Sequence, residues 1–290
     1  MAVAPRSPSR TAVLTAVARA LHREEADPTV LDDQFALDLA GEEGAVLIER
    51  LKAEVPKETL LGFSRWICVR ARLPEDIVEA AVADGVRQYV ILGAGLDLFA
   101  YRRPDLLDRL RVFEVDHPAS QAWKRARLRE LGVDGPANLV FAPVDFETQT
   151  LREELERAGF DFGAKAVFSW VGVTMYLTVG AIEATLATVA ECPAGTRIVL
   201  TYNLSPSALR EMGLGTENWF AGLAAEMGEP FVSLFKPAEA EAILRRLGFG
   251  DIIHFGPQEA IQAYFLGRDD VRLPGPQRLM MARVAERSAL

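Results

Sequence analysis

The sequence predicts an α/β fold: a seven-stranded, mostly parallel sheet with helices on both faces and a helical cap at the N-terminal end. Three observations carry this. The first 85 residues show helical spacing and no clear strand. From residue 88 onward, short β-branched and aromatic runs alternate with helical stretches, the pattern of a parallel sheet covered on both faces. The first of these runs, Tyr89 to Leu92, ends in Gly93-Ala94-Gly95, as a central parallel strand does when its carboxyl tip must lie against a ligand.

The elements follow in order. Residues 1–10 are expected to be disordered. Val13, Val17 and Leu21 recur at helical intervals from Thr11. A second helical segment starts near Asp32-Asp33-Gln34-Phe35-Ala36, and Ala45 to Glu54 and Gly62 to Val69 continue in helical style. Pro74 with Glu75-Asp76 suits the first turn of a helix ending near Ala83. Strands are expected at 88–93, 111–115, 138–142, 165–171, 197–203, 251–255 and 279–284. Helices fall at 119–131, 148–158, 178–191 and 236–247, the last closed by Gly248. Residues 205–235 lose this regularity and read as a helical insertion over the sheet's carboxyl edge. No repeat or flexible linker divides the chain. One domain is expected over 11–290, made of a cap (11–85), a cofactor-binding core (86–204), the insertion, and closing helices and strands (236–290).

The glycines set the chemistry. They permit a tight turn and remove the side chain that would block a ligand. Val112-Phe113-Glu114-Val115 leads into Asp116, 21 residues after Gly95, and an acid about 20 residues downstream is where this architecture grips ribose hydroxyls. The pair of features points to an adenosine-bearing cofactor; Gly93-Ala94-Gly95 alone could be a turn in any α/β protein. A dinucleotide fingerprint wants a small residue three positions after Gly95, where Leu98 stands, and Asp97 sits where a pyrophosphate would approach. S-adenosyl-L-methionine has a ribose, no phosphate, an ammonium and a sulfonium, so it fits better than NAD. Seven strands with a glycine-rich tip after the first and an acid after the second describe the class I methyltransferase, Rossmann-like architecture. Its ligand site lies at the tips of the first four strands.

Bulk properties narrow the partners. With 50% apolar and 25% charged residues the chain reads as a globular protein. Its net charge of −9 argues against general nucleic-acid binding, which needs a basic face. Cys68 and Cys192 cannot build a disulfide framework, and His22, His117 and His254 show no metal-ligand spacing, so no metal is expected. No apolar run reaches the roughly 18 residues that span a bilayer, and no signal-peptide pattern opens the chain. A cytoplasmic location is expected, with no membrane partner; the oligomeric state is left open.

Several segments resemble the leucine carboxyl methyltransferase-like O-methyltransferases, a group that includes protein phosphatase methyltransferases and polyketide carboxyl methyltransferases. The matching pieces are Arg70-Ala71-Arg72, Val90 to Asp97, Ala100-Tyr101-Arg102, Phe113 to Pro118, Val144-Asp145-Phe146 and Gly172 to Thr178. The resemblance implies that Gly93 and Gly95 cradle the cofactor, that Asp116 binds its ribose and that Asp145-Phe146 hold its adenine. It also implies that Arg70 reaches the methionyl carboxylate, Arg72 being the alternative, and that Arg19 closes over the same end. Asp145 could instead cap the helix that follows. Two departures stand out: Val171 replaces a glutamate that many members carry, and Leu98-Phe99 replaces Thr-Arg or Thr-Thr.

The acceptor is read from what the strand tips lack. A carboxylate nucleophile is ionised at pH 7 and needs no base, whereas a phenol or alcohol usually does. No convincing base appears at the fourth strand's tip. Tyr176 and Tyr202 are weak catalytic candidates, and Tyr176 with Trp219 is expected to meet the substrate. The expected function is O-methylation of a small molecule, with a carboxylate favoured. A hydroxyl or phenol methyltransferase, or a non-catalytic cofactor binder, is the alternative.

Overall fold

A computed structural model of the chain describes residues 9–145, 148–216 and 218–286. Phe146, an expected adenine contact, and residues 1–8 of the expected disordered terminus lie outside the described residues. The strands are β1 (Gln88–Leu92), β2 (Arg111–Asp116), β3 (Leu139–Pro143), β4 (Val167–Trp170), β5 (Arg197–Asn203), β6 (Phe249–Phe255) and β7 (Gln277–Val284). They form one sheet in the order β3-β2-β1-β4-β5-β7-β6. The first five pair in parallel, and β7 runs antiparallel between β5 and β6. The chain proceeds outward from β1 to β3 and restarts on the other side of β1 with β4. The crevice at that reversal is where open α/β sheets bind ligands.

The helices are α1 (Arg10–Glu25), α2 (Ala36–Glu54), α3 (Lys57–Ala83), α4 (Phe99–Arg102), α5 (Pro118–Glu130) and α6 (Leu151–Arg157), followed by α7 (Val179–Val189), α8 (Pro206–Glu211), α9 (Trp219–Glu226), α10 (Pro237–Arg246) and α11 (Pro257–Tyr264). Alternate residues of the sheet face two cores, because both of its faces are covered. Val90, Leu92, Phe113, Phe168, Leu200 and Tyr202 pack with Leu155, Leu186 and Leu244 of α6, α7 and α10. On the other face, Tyr89, Ile91 and Val167 meet Val78 and Ala81 of α3 and Phe99 of α4. Val199 and Leu279 meet Trp66, Val69 and Leu73, also of α3. Above this face, Leu14, Val17 and Leu21 of α1 join Ile48 of α2, Phe63 and Ile67 of α3, and Leu223 of α9.

Two local expectations change. Pro74 does not begin a helix but sits inside α3, a continuous helix of 27 residues. A proline there removes the donor to the carbonyl four residues back and normally breaks a helix. Packing on both sides, by Val69 and Leu73 before it and Val78 and Ala81 after it, holds the axis together. The sixth strand begins two residues earlier than expected, at Phe249. Its register with β7 shifts between Gly250 and Ile253, beside Asp251 at φ 47°. Ser9 and Arg10, placed in the disordered terminus by the sequence, already belong to α1: Ser9 Oγ accepts from Ala12 N, and Arg10 is the first helical residue.

Candidate active site

The crevice at the β1 and β4 tips opens into a cavity of about 490 Å³. Its floor is the turn after β1, where Gly93 N and Ala94 N donate to Val115 O at 2.8 and 3.1 Å. Gly93 has φ 66°, and a Cβ there would lie 2.4 Å from Val173 Cγ2. Glycine is therefore required twice, by the backbone angle and by the close approach of the β4 loop. The carboxylate of Asp116 closes the floor. Its Oδ2 accepts from Gly95 N at 2.5 Å and its Oδ1 from His117 N at 2.7 Å. Burial nevertheless raises the Asp116 pKa above the ordinary aspartate value, outweighing both backbone donors.

Four carboxylates line this cavity: Glu75, Asp97, Asp116 and Glu229. A diphosphate does not suit such a wall; a ribose, an ammonium or a sulfonium does. Arg19 and Arg70 also line it but are employed differently. Arg19 donates to Asp33 Oδ2 and to Leu96 O, both at 2.7 Å. Asp33 takes a second arginine, Arg102, at 3.0 Å, which reaches on to Glu75 at 2.7 Å. Arg19 is thus committed to a buried network that stiffens the cavity edge. Arg70 has no carboxylate partner among the described residues. Its Nη1 donates to Gln277 Oε1 at 3.1 Å, and burial lowers its pKa to about 10, so it stays charged at neutral pH. Gly172, at φ 79°, lets the guanidinium lie against the β4 loop, since a Cβ there would sit 3.0 Å from Arg70 Nη2. Arg72, the alternative to Arg70, points away from the cavity and pairs with Asp76 at 2.6 Å.

A second cavity of about 330 Å³ adjoins the first and shares Ile67, Arg70 and Phe220 with it. Its walls are aromatic: Phe63 and Trp66 from α3, Trp219 and Phe220 from α9. Phe63 and Trp219 meet edge-to-face at 5.3 Å. The polar side is a hydrogen-bonded chain in which Trp66 Nε1 and Arg70 Nη1 both donate to Gln277 Oε1, and Gln277 Nε2 donates to Asn203 Oδ1 at 2.9 Å.

The tyrosines separate. Tyr176 lines the first cavity, where its hydroxyl is hydrogen-bonded with Thr11 and burial raises its pKa. Tyr202 lines neither cavity. It points to the opposite face of β5, with its hydroxyl 2.8 Å from His254 Nδ1, whose Nε2 meets Glu241 at 3.2 Å. The sequence expectation that placed Tyr202 near the acceptor is corrected by strand alternation; its neighbour Asn203 faces the cavity instead. Asp145 does not line the first cavity, and it does not cap α6, whose N-cap is Thr150. His117 Nδ1 accepts from Ala119 N and caps α5.

Sequence reasoning missed Asn203, Gln277 and Glu229. Glu229 accepts from Ser9 Oγ, Arg10 N and Thr11 Oγ1 at 2.7, 2.9 and 2.5 Å, which ties the start of α1 to the loop after α9 over the first cavity. It also missed the buried pair of Lys124 and Glu114 under the floor, 2.7 Å apart, with Lys124 also donating to the carbonyl of Asp97. Among the described residues no group of three or more His, Cys, Asp or Glu could hold a metal ion. Nor, among the described residues, is any helix long and apolar enough to cross a membrane.

Comparison with known proteins bears on this site. The family model described as leucine carboxyl methyltransferase matches residues 12–190. YktD of Bacillus subtilis (strain 168), provisionally named an S-adenosyl-L-methionine-dependent methyltransferase, is 31% identical over 291 residues, covering 90% of this chain and 93% of that protein. Rv1896c of Mycobacterium tuberculosis, named in the same provisional way, is 35% identical over 192 residues, 66% of this chain and 62% of that protein. Among solved structures, a provisionally named methyltransferase of Thermobifida fusca superposes with a TM-score of 0.60 over 93% of this chain and 94% of that one, at 16% identity. A DUF574 family protein of Streptomyces avermitilis gives 0.57 over 93% and 96%, at 15% identity. At such identities these two structures speak to the fold alone.

Proposed function

The chain belongs to the leucine carboxyl methyltransferase family and is an S-adenosyl-L-methionine-dependent methyltransferase; from that premise we propose that it methylates a carboxylate oxygen of a small, mostly apolar acceptor held in the second cavity. When bound, S-adenosyl-L-methionine supplies the electrophilic methyl group. The first cavity suits it: Asp116 has lone pairs left for the ribose hydroxyls, Asp97 offers negative charge to its cationic end, and Arg70 offers a guanidinium to its carboxylate. These roles are our assignment; the adenine contact expected at Asp145 is left out of it, because Asp145 does not line the first cavity.

One observation carries the carboxylate reading. The described residues lining the second cavity include four aromatic rings and an arginine but no His, Asp, Glu, Lys, Cys or Tyr. A phenol or alcohol would need a base there. A carboxylate brings its own charge and releases no proton on methylation, so positioning and exclusion of water suffice. The net charge of −9 and the enclosed aromatic walls favour a small molecule over a nucleic acid.

The pH profile tests this. A carboxylate acceptor with a pKa near 4 and an arginine that titrates near 10 are both fully charged between, so kcat/KM is expected to be flat from about pH 6 to 8. The product should be cleaved by mild alkali, as a methyl ester is and a methyl ether is not. A rising limb with an alkali-stable product would refute the carboxylate and leave the methyltransferase standing. Trp219→Ala should raise KM for the acceptor roughly thirtyfold, about 2 kcal/mol for a truncated aromatic anchor, and leave cofactor affinity within twofold by calorimetry. A cofactor-binding defect in that variant would move Trp219 out of the acceptor site.

A further inference from the structure

We infer that Asn203 reads the acceptor's head group: with Arg70 it presents hydrogen-bond donors to the second cavity, and so selects a carboxylate over an alcohol or amine of the same shape. This deepens the acceptor reading above and rests on it.

The orientation of the two amides in this wall is fixed by their neighbours. Trp66 Nε1 and an arginine nitrogen can only donate. Both meet the same atom of Gln277, at 2.9 and 3.1 Å, so that atom must be oxygen. Gln277 Nε2, a donor, then faces Asn203 at 2.9 Å, and the atom it faces must be Oδ1. The polarity of the whole chain is set at one end by two groups without a usable lone pair. At the other end it leaves Asn203 Nδ2, with two N–H groups, as the free terminus.

Asn203 is 1% exposed and lines the second cavity, and its Nδ2 has no acceptor among the described residues. Among those residues no other hydrogen bond competes for this amide nitrogen, so its N–H groups open onto the cavity and an incoming carboxylate oxygen can accept from them. Asn218, on the same cavity, repeats the arrangement. Its Oδ1 accepts from Ala221 N at 3.1 Å as the cap of α9, so its amide N–H groups are the part left over. Arg70 lines both cavities and keeps N–H groups beyond the one given to Gln277, so one edge is left for the cofactor's carboxylate and another for the acceptor's. Among the described residues, an ammonium entering here would meet a guanidinium and amide donors and no carboxylate. A hydroxyl could accept one of these bonds but carries no charge to match Arg70. Phe63, Trp66 and Trp219 enclose the apolar body in each case.

The test uses the full chain saturated with S-adenosylhomocysteine and three probes with one apolar body: indole-3-acetate, tryptophol and tryptamine, titrated by calorimetry. The wild type is expected to bind the acid at least tenfold more tightly than the alcohol and to bind the amine most weakly. Asn203→Asp replaces the donor edge with an anionic one. It should weaken the acid at least tenfold and shift the order toward the amine, with S-adenosylhomocysteine affinity within twofold of wild type. Asn203→Ala should erase most of the preference for acid over alcohol without adding charge, and it keeps the test decisive if the aspartate variant does not fold. If the wild type prefers the acid and folded variants keep that preference in full, Asn203 is not the reader, and the carboxylate acceptor survives. If the wild type binds the alcohol or amine as tightly as the acid, or binds none of the three, the acceptor reading falls with it.

Discussion

Asp116→Ala is expected to weaken S-adenosyl-L-methionine binding at least tenfold in a folded protein. A carboxylate has about four lone-pair sites. Gly95 N and His117 N occupy one on each oxygen, which leaves acceptor capacity toward the cavity for two hydroxyls. A hydrogen bond to a charged group contributes about 1.5–3 kcal/mol, so even one lost bond is roughly tenfold or more in affinity. The substitution also frees Gly95 N, which loosens the turn that forms the floor. Asp116→Asn separates the two effects, because it keeps the shape and an oxygen for a backbone donor while removing the charge. Calorimetric affinity unchanged in the alanine variant would remove Asp116 from the cofactor site.

Lys124→Met is expected to give the largest loss of stability, about 3–5 kcal/mol, because it strands a buried carboxylate. Glu114 is 0% exposed and its Oε1 already lacks a hydrogen-bond partner among the described residues. Burial raises its pKa even with Lys124 beside it, and without the ammonium the rise must grow. The sign of the pH dependence follows. A carboxyl whose folded pKa exceeds its unfolded value of about 4.3 favours the fold when protonated; that help is complete below the unfolded pKa and fades as pH climbs through the folded one. The deficit measured by denaturant titration should therefore be larger at pH 8 than at pH 5, and Glu114→Gln in the same chain should recover much of it. A deficit of the same size at both pH values would assign the loss to packing rather than charge.

The floor of the first cavity was legible because it is local. A strand tip with two glycines and an acid 21 residues on are short-range signals, and Gly93, Gly95 and Asp116 meet in one floor. The parallel strands were legible as apolar runs, since both faces of the sheet are buried. That same property hid the polar wall of the second cavity. A strand buried on both faces shows no polar alternation, so nothing in Thr201-Tyr202-Asn203 says which side chain faces which layer. Tyrosine drew attention and asparagine did the facing. The remaining partners are far apart in the chain: Gln277 lies 207 residues from Arg70, and Glu229 lies 220 residues from Ser9. No periodicity reports such pairs. Pro74 misled for another reason, since a local rule for ending helices was overridden by packing on both sides of it.

The way α3 enters the second cavity has a consequence for acceptor size. Phe63, Trp66, Ile67 and Arg70 are spaced i, i+3, i+4 and i+7, one stripe of a straight helix. At 1.5 Å of rise per residue, the seven steps from the aromatic end of the stripe to the arginine measure about 10 Å. That stripe acts as a ruler. An acceptor whose charged end rests at Arg70 can lay about 10 Å of ring or chain along it before passing Phe63. Shorter acids leave aromatic wall uncovered, and longer ones reach past Phe63. On the acceptor reading proposed above, chain length rather than ring chemistry is the property that this helix measures.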